Sequence, residues 1–213
     1  MGLITLKGPD VRSAFGVHVL HLAPDFLSLT LIGHMGIKMG TVVLTENRYS
    51  YSFSSSGIYA SGEIESFSFP EIFDLPLSGD YFWDVFRPLP QLSDIADPVA
   101  IQRDISGQLY QLTWSDSSFT HQLWVDSFRP VIVRELFCNT TGDTIWYREY
   151  NRIKKRSGVF IPFFWEIQLG QGEEAYLMQL KFSQLRVNRD LSPADFMISA
   201  VPEPDSTEVH LGR

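Results

Sequence analysis

Between Phe26 and Phe53, apolar and polar side chains alternate so regularly that this stretch constrains the fold more than any other. In Phe26–Ile32, Leu27, Leu29 and Leu31 alternate with Ser28 and Thr30, the two-residue period of a strand with one wet face. Gly33-His34-Met35-Gly36 interrupts the pattern, Ile37–Thr45 resumes it with β-branched residues, and Glu46-Asn47 makes a second turn. Arg48–Phe53 then sets Tyr49, Tyr51 and Phe53 against Arg48, Ser50 and Ser52. Three consecutive strands joined by short turns predict an antiparallel meander with one greasy, aromatic face.

The rest of the chain extends this pattern. Leu3–Lys7 and Ala14–Leu22 read as strands separated by Gly8-Pro9-Asp10, and Ile58–Ala60 closes the first block. The period then changes. Ser68-Phe69-Pro70-Glu71 is a capping-box pattern with proline in the first turn, which predicts a short helix through Leu75. Ser78–Phe86 reads as a second helix, stopped by Pro88, and Gln91–Pro98 as a polar loop. Strands resume at Gln108–Trp114, Phe119–Val125, Val131–Phe137, Thr144–Tyr150 and Val159–Leu169, where Pro162 implies an edge or a bulge. Ala175–Val187 changes phase near Leu185, a sign of a bulge, and Phe196–Val201 is the last expected strand. The fold class is therefore mainly β: a single large antiparallel sheet that must curl and be covered by the mid-chain helical segment. Residues 1–201 are expected to form one domain, with Pro202–Arg213 a flexible polar tail.

Composition narrows the function. Aromatic residues make up 14%, with 16 Phe, 8 Tyr and 5 Trp, which suits a β-rich protein and also one with an apolar cavity to line. A formal net charge of −8 argues against nucleic acid as a partner, since phosphate binding needs a basic surface. The one cysteine, Cys138, forms no internal disulfide and has no nucleophile signature around it. Met1-Gly2 opens almost directly into a strand, so an export signal is expected to be absent or already removed, and Leu6 stands where a myristoylation site wants Ser or Thr.

Catalytic patterns are scarce. There is no Gly-x-Ser-x-Gly elbow, phosphate loop or dinucleotide fingerprint. His18 and His21 are three apart on a strand, which points them to opposite faces and away from a shared metal. Asp74, Asp80 and Asp84 read more simply as caps and solvated side chains than as paired carboxylates. Asn139-Thr140-Thr141 matches a glycosylation sequon, a pattern that arises often by chance. No catalytic residue, metal or cofactor is expected, and an enzyme would need a polar cluster inside the hollow of the sheet that the sequence does not advertise. Two surface features remain. Arg152, Lys154, Lys155 and Arg156 concentrate charge between two strands, either as a solvated hairpin tip or as a contact for anionic lipid headgroups worth about 1 kcal/mol per basic residue. Met35 and Ile37 cluster at the tip of the first hairpin, where they either pack on a neighbouring loop or serve a purpose outside the fold.

With these residues in view, the chain resembles the bacterial lipoprotein-localisation family, the LolA/LolB-like and related lipoprotein-sorting proteins. Asp25–Gly36 is similar to the family's strand leading into a Pro-Leu-Gly-type tip, with His34-Met35-Gly36 in place of that tripeptide. Ile72–Pro90 resembles its paired short helices around a Pro-Leu step, Trp146–Ile167 its late hairpin, and Val187–Glu203 its Asn-apolar-x-Phe close. The resemblance implies an open, strongly curved antiparallel half-barrel, with short helices across the concave side. It also implies a cavity for the acyl chains of lipoproteins crossing the periplasm, and a location in the periplasm or at the outer membrane. In the family's receptor branch an apolar tip residue assists delivery into the outer membrane, and Met35, with Ile37 beside it, occupies that place. Against the family, the sequence reads as short of its N-terminal helix and is expected to be without the acylated N-terminus of the receptor branch. It also shows no counterpart of the buried arginine associated with the carrier branch.

The expected cavity lining is Leu27, Leu29, Leu31, Tyr49, Tyr51, Phe53, Tyr110, Leu112, Trp114, Phe163, Trp165 and Ile167, each of which is equally readable as ordinary sheet core. A saturated chain gains about 0.8 kcal/mol per buried methylene, so sixteen carbons contribute roughly 10 kcal/mol before ordering costs. The function expected is non-enzymatic: a cell-envelope protein that holds acyl chains of lipids or lipoproteins and passes them to the outer membrane surface or an envelope partner. The alternative keeps the fold and makes it a scaffold or sensor that binds another envelope protein through a sheet edge or the apolar tip.

Overall fold

The computed structural model describes residues 1–54, 57–67, 85–87, 100–104, 106–115, 117–187 and 189–198. Thirteen strands form one antiparallel sheet: β1 (Gly2–Lys7), β2 (Arg12–Leu22), β3 (Phe26–Ile32), β4 (Lys38–Thr45), β5 (Arg48–Phe53), β6 (Ile58–Glu63), β7 (Ala100–Arg103), β8 (Leu109–Ser115), β9 (Phe119–Asp126), β10 (Ile132–Asn139), β11 (Thr144–Arg156), β12 (Val159–Leu169) and β13 (Tyr176–Phe182). Their order is β6-β5-β4-β3-β2-β1-β13-β12-β11-β10-β9-β8-β7, so each half is a meander, and the chain ends join the halves where β1 pairs with β13. The edges, β6 and β7, do not pair with each other, and the sheet stays open.

Cross-strand register shows which residues share a face. Leu27, Leu29 and Leu31 on β3 lie opposite His21, Val19 and Val17 on β2, and opposite Leu44, Val42 and Gly40 on β4. Gly40, Val42 and Leu44 face Phe53, Tyr51 and Tyr49 in turn. In the other half, Trp165 and Ile167 lie opposite Leu180 and Met178, and opposite Tyr150 and Arg148. Arg148 leads through Glu135 and Leu123 to Leu112. One face thus carries nearly all the buried apolar residues, and Phe53 on β5 and Phe137 on β10 belong to the same core cluster. A flat sheet of this many strands would be about 60 Å wide at about 4.8 Å per strand, so sharing a core requires it to curl with this face inside. Gly40 assists the packing: a Cβ there would lie 2.1 Å from the Phe53 ring, so only glycine lets that buried ring cross β4.

The meander forms as its alternation predicts, and several boundaries differ. The strand expected to end at Tyr150 runs to Arg156, so the basic residues lie on the strand and not in a loop. The turn is Ser157-Gly158, both at positive φ (47° and 83°), which matches the twist of a two-residue hairpin and keeps pairing regular to Arg156 opposite Val159. β12 is interior to the sheet despite Pro162. Pairing with β13 begins only at Phe164, which leaves one side of the strand at Pro162 without a ladder to break. The phase change near Leu185 is the end of β13 and not a bulge: β1 starts at Gly2 opposite Phe182, and Ser183 and Gln184 donate their N–H groups to the Met1 carbonyl. Ser192-Pro193-Ala194-Asp195, which reads as a turn, forms one: Pro193–Phe196 is a 3-10 turn with a Ser192/Asp195 capping box that seats Phe196 on Phe26 at 5.3 Å, and of the strand expected over Phe196–Val201 only residues 196–198 are described. β7 has four exposed residues and no apolar period, and so left no mark in the sequence pattern.

The helices expected over Ser68–Leu75 and Ser78–Phe86 lie outside the described residues, apart from Val85 and Phe86. So do Asp74, Asp80, Asp84, the loop Gln91–Pro98 and the tail Pro202–Arg213. Val85 and Phe86 are helical and buried in the inner core cluster, so Val85–Arg87 crosses the concave face as a cover. Phe67 reaches the same face further along, packed on Tyr49 at 4.9 Å and on Tyr51 at 6.5 Å.

Candidate functional site

The twelve residues expected to line a cavity all fall on the concave face. Leu27, Leu29, Leu31, Phe53, Phe163, Trp165 and Ile167 are buried, while Tyr49, Tyr51, Leu112 and Trp114 are half-buried and Tyr110 is exposed. The wall is therefore closed at its centre and open toward β8.

In the middle of this wall stands a charged group. On β11, Trp146, Arg148 and Tyr150 point inward while Ile145, Tyr147 and Glu149 point outward, so the alternation itself drives Arg148 into the hollow. Glu135 on β10 is directly opposite. Both side chains are 1% exposed. The Arg148 guanidinium donates to one carboxylate oxygen, Glu135 Oε2, from Nε at 2.6 Å and also from Nη2, and the Tyr150 hydroxyl donates to the same oxygen at 3.1 Å. Three aromatic rings surround the cation, with the guanidinium carbon 5.0 Å from the Trp146 and Tyr150 centroids and 5.9 Å from that of Trp165. Burial pushes the Tyr150 phenol well above its ordinary pKa, and it serves here as a protonated donor.

The remaining arm of Arg148 reaches the cover. Its Nη1 donates to the carbonyls of Val85 at 2.8 Å and Arg87 at 3.1 Å. These bonds join residues more than sixty positions apart and tie the cover to the wall at a charged, water-excluded point. A buried arginine is thus present on the concave face, where the sequence reading found no counterpart of the one associated with the carrier branch. The signal was available: Arg148 in phase with Trp146 and Tyr150, and Glu135 in phase with Phe137. A polar cluster in the hollow, named above as the requirement for an enzyme, also exists: Arg148 and Tyr150 donate to Glu135 Oε2 and Arg148 also to the cover, while Oε1 of Glu135 has no partner.

His21 stands on the same face at the end of β2, with its Nε2 buried and unpartnered. Desolvation, and then the nearby positive charge of Arg87, lowers its pKa below 6.5. The neutral form is therefore favoured in the folded state, and stability present above about pH 6.5 is lost as pH falls through that value toward the lower folded pKa. Urea midpoints are expected to decline between pH 7 and pH 5, and His21→Gln to flatten that decline. An unchanged slope would show that His21 is not desolvated enough in the folded state for its charging to cost stability. His18, opposite Thr30, lies on the outer face, so the two histidines diverge.

Residues expected at a membrane divide between two ends of the sheet. Met35 (85% exposed) and Ile37 (66%) stand out at the β3–β4 tip, where Met35 and Gly36 both take positive φ. Alternation of strand direction puts the Ser157-Gly158 turn at the opposite end, so Arg152, Lys154, Lys155 and Arg156 do not join that tip. They hold close to apolar rings instead: Arg152 over Phe164 at 5.8 Å, Lys154 over Phe163 at 4.7 Å and Lys155 over Phe160 at 5.5 Å. Phe128, 80% exposed in the β9–β10 turn, shares their end.

No protein-family model and no curated sequence matches the chain. Solved structures do. A DUF1329 family protein from Desulfovibrio piger has a TM-score of 0.65 at 13% identity, covering 92% of this chain and 87% of that one. An outer membrane lipoprotein-sorting protein domain from Vibrio parahaemolyticus has a TM-score of 0.61 at 11% identity, covering 92% and 86%. A LolA superfamily protein from Nitrosomonas europaea has a TM-score of 0.59 at 13% identity, covering 92% and 88%. The chain therefore shares the open half-barrel fold of these proteins over nearly its whole length.

Proposed function

We propose that this protein binds acyl chains of lipids or lipoproteins against its concave face and hands them on within the cell envelope. The observation that carries this reading is the way the hollow is closed. An apolar and aromatic wall, with the buried Arg148–Glu135 pair at its middle, is covered by a segment whose Val85 and Arg87 carbonyls accept hydrogen bonds from Arg148. The cover is joined to the wall by these bonds as well as by the packing of Val85 and Phe86, and parting it at Arg148 would let a chain lie against Leu29, Trp165 and Ile167. The fold shared with the lipoprotein-sorting domain supports the same direction.

Palmitate-length chains are expected to co-purify after gentle isolation and to appear by mass spectrometry, and a fluorescent acyl probe to bind with its emission shifted to the blue. A protein that comes free of lipid and leaves the probe unbound would rule the reading out. Delivery needs a surface that meets the membrane, and the Met35–Ile37 tip supplies one. Met35→Glu is expected to reduce association with anionic vesicles several-fold with stability changed by no more than about 0.5 kcal/mol, since an exposed residue is replaced. Unchanged vesicle binding would move the contact to the basic end. The alternative, a scaffold or sensor, is favoured by the exposed edge strand β7, which among the described residues pairs on one side only and offers the other to an incoming strand. Partner capture that survives loss of acyl binding would identify it.

A further inference from the structure

Between Glu149 and Glu166 the chain carries Arg152, Lys154, Lys155 and Arg156 and no acidic residue, and among the described residues none of the four forms an ion pair. Arg152 differs from the other three. Counting by twos from Trp146, Arg148 and Tyr150 assigns it to the concave face. Its backbone instead takes a φ of 53°, a conformation costly for any residue with a Cβ, and most costly inside a strand. The result is that its guanidinium carbon lies 5.8 Å from the ring centroid of Phe164, which faces outward between the inward Phe163 and Trp165. Backbone strain thus delivers this cation to the outer face of the sheet.

Two more arginines stand there. Arg134 on β10 points outward because Glu135 beside it points inward, and Arg129 comes from the β9–β10 turn. With Val133, Glu149 and Ile153, the three arginines line one cleft of about 300 Å³. Arg129 gives Nε and Nη2 to Asp126, and Arg134 Nη2 is 3.3 Å from Glu149. Their other N–H groups, and all those of Arg152, make no hydrogen bond among the described residues, and the charge of Arg152 is uncompensated. We propose that this cleft binds a phosphate group. Guanidinium forks from three separate segments suit a tetrahedral anion, whose oxygens point in several directions, better than a flat carboxylate. Phe128, 80% exposed next to Arg129, adds an apolar neighbour that a phosphate carrying acyl chains can use. A phospholipid headgroup and free phosphate share this chemistry. The cleft is on the outer face, at the end away from Met35 and Ile37, so the proposal does not rest on the acyl-chain reading.

The test is an NMR titration of the intact protein, at about 0.15 M salt, with sodium phosphate, sodium acetate and monomeric dihexanoylphosphatidylglycerol. The backbone amides of Arg129, Arg134 and Arg152 are expected to move with phosphate and with the lipid, and to stay in place with acetate. Arg152→Gln should weaken phosphate binding roughly tenfold, the low end for a hydrogen bond to a charged group because the cleft is open to water. Lys155→Gln removes the same charge from the same strand outside the cleft, and should change affinity less than about twofold. Arg152→Gly should abolish binding without lowering the urea midpoint, since glycine adopts this φ without strain. Amides that stay in place with phosphate, acetate shifts that match those of phosphate, or equal losses from Arg152→Gln and Lys155→Gln would each overturn the site. The last would leave only a diffuse positive field. The two sources then separate: tighter binding of the lipid than of phosphate, with Phe128→Ser removing only that gain, assigns the site to a headgroup, and equal affinity assigns it to free phosphate.

Discussion

Arg148→Met is expected to destabilise the protein by about 3–5 kcal/mol. The reason is the charge it strands. Glu135, 1% exposed, would keep its carboxylate in a water-excluded site with only the Tyr150 hydroxyl to meet it. The cover would also lose both of its bonds from Nη1, at Val85 and Arg87. Urea denaturation measures the first consequence. Limited proteolysis near residues 85–87 measures the second, and cutting there should speed up by more than global destabilisation explains. The double variant Arg148→Met/Glu135→Leu separates the two. Removing both charges restores most of the stability, because a buried pair is worth little more than apolar residues of the same volume. It does not restore the ties to the cover, so proteolysis should stay fast and acyl probe exchange should quicken. A single variant that costs less than 1 kcal/mol would mean that water reaches Glu135 and that the hollow is not sealed there.

Leu180→Ala should cost about 2–5 kcal/mol. Leu180 is fully buried, between Ile4 on β1 and Trp165 on β12, where the two halves of the sheet meet. Neighbours on three adjacent strands are tied by full ladders and cannot close in on the lost volume. Tyr110→Ala on β8, by contrast, should cost less than about 1 kcal/mol, since Tyr110 is 40% exposed and near an edge. The contrast tests the claim that the concave wall is solid at its centre and loosens toward β8. Similar losses at both positions would mean that the β7–β9 end is as tightly packed as the middle, leaving a ligand no side from which to enter.

How much of this was legible beforehand depended on whether neighbours along the chain or across it held the information. The meander from Phe26 to Phe53 was readable because each residue's face follows from the one before it, and every residue chosen there as lining does face inward. The basic stretch was misplaced from loop to strand because Lys and Arg have no period of their own. The positive φ of Ser157 and Gly158, which sets the turn, shows in the sequence only as one Ser-Gly pair. Arg148 stands in phase with Trp146 and Tyr150 and so is readable as inward-facing, but the partner that makes it tolerable there, Glu135, is on another strand and leaves no local sign.

By itself the sequence determined an antiparallel sheet with one apolar face and an apolar hairpin tip, since period-two alternation and turn residues are local properties of the chain. Tertiary structure alone decided that this face is the concave one, that β1 and β13 join the two halves, and that Arg148 and Glu135 meet beneath the Val85–Arg87 cover. Those outcomes depend on register and curl between strands far apart in sequence. A charge becomes a fastening only when a partner from elsewhere in the chain arrives to meet it.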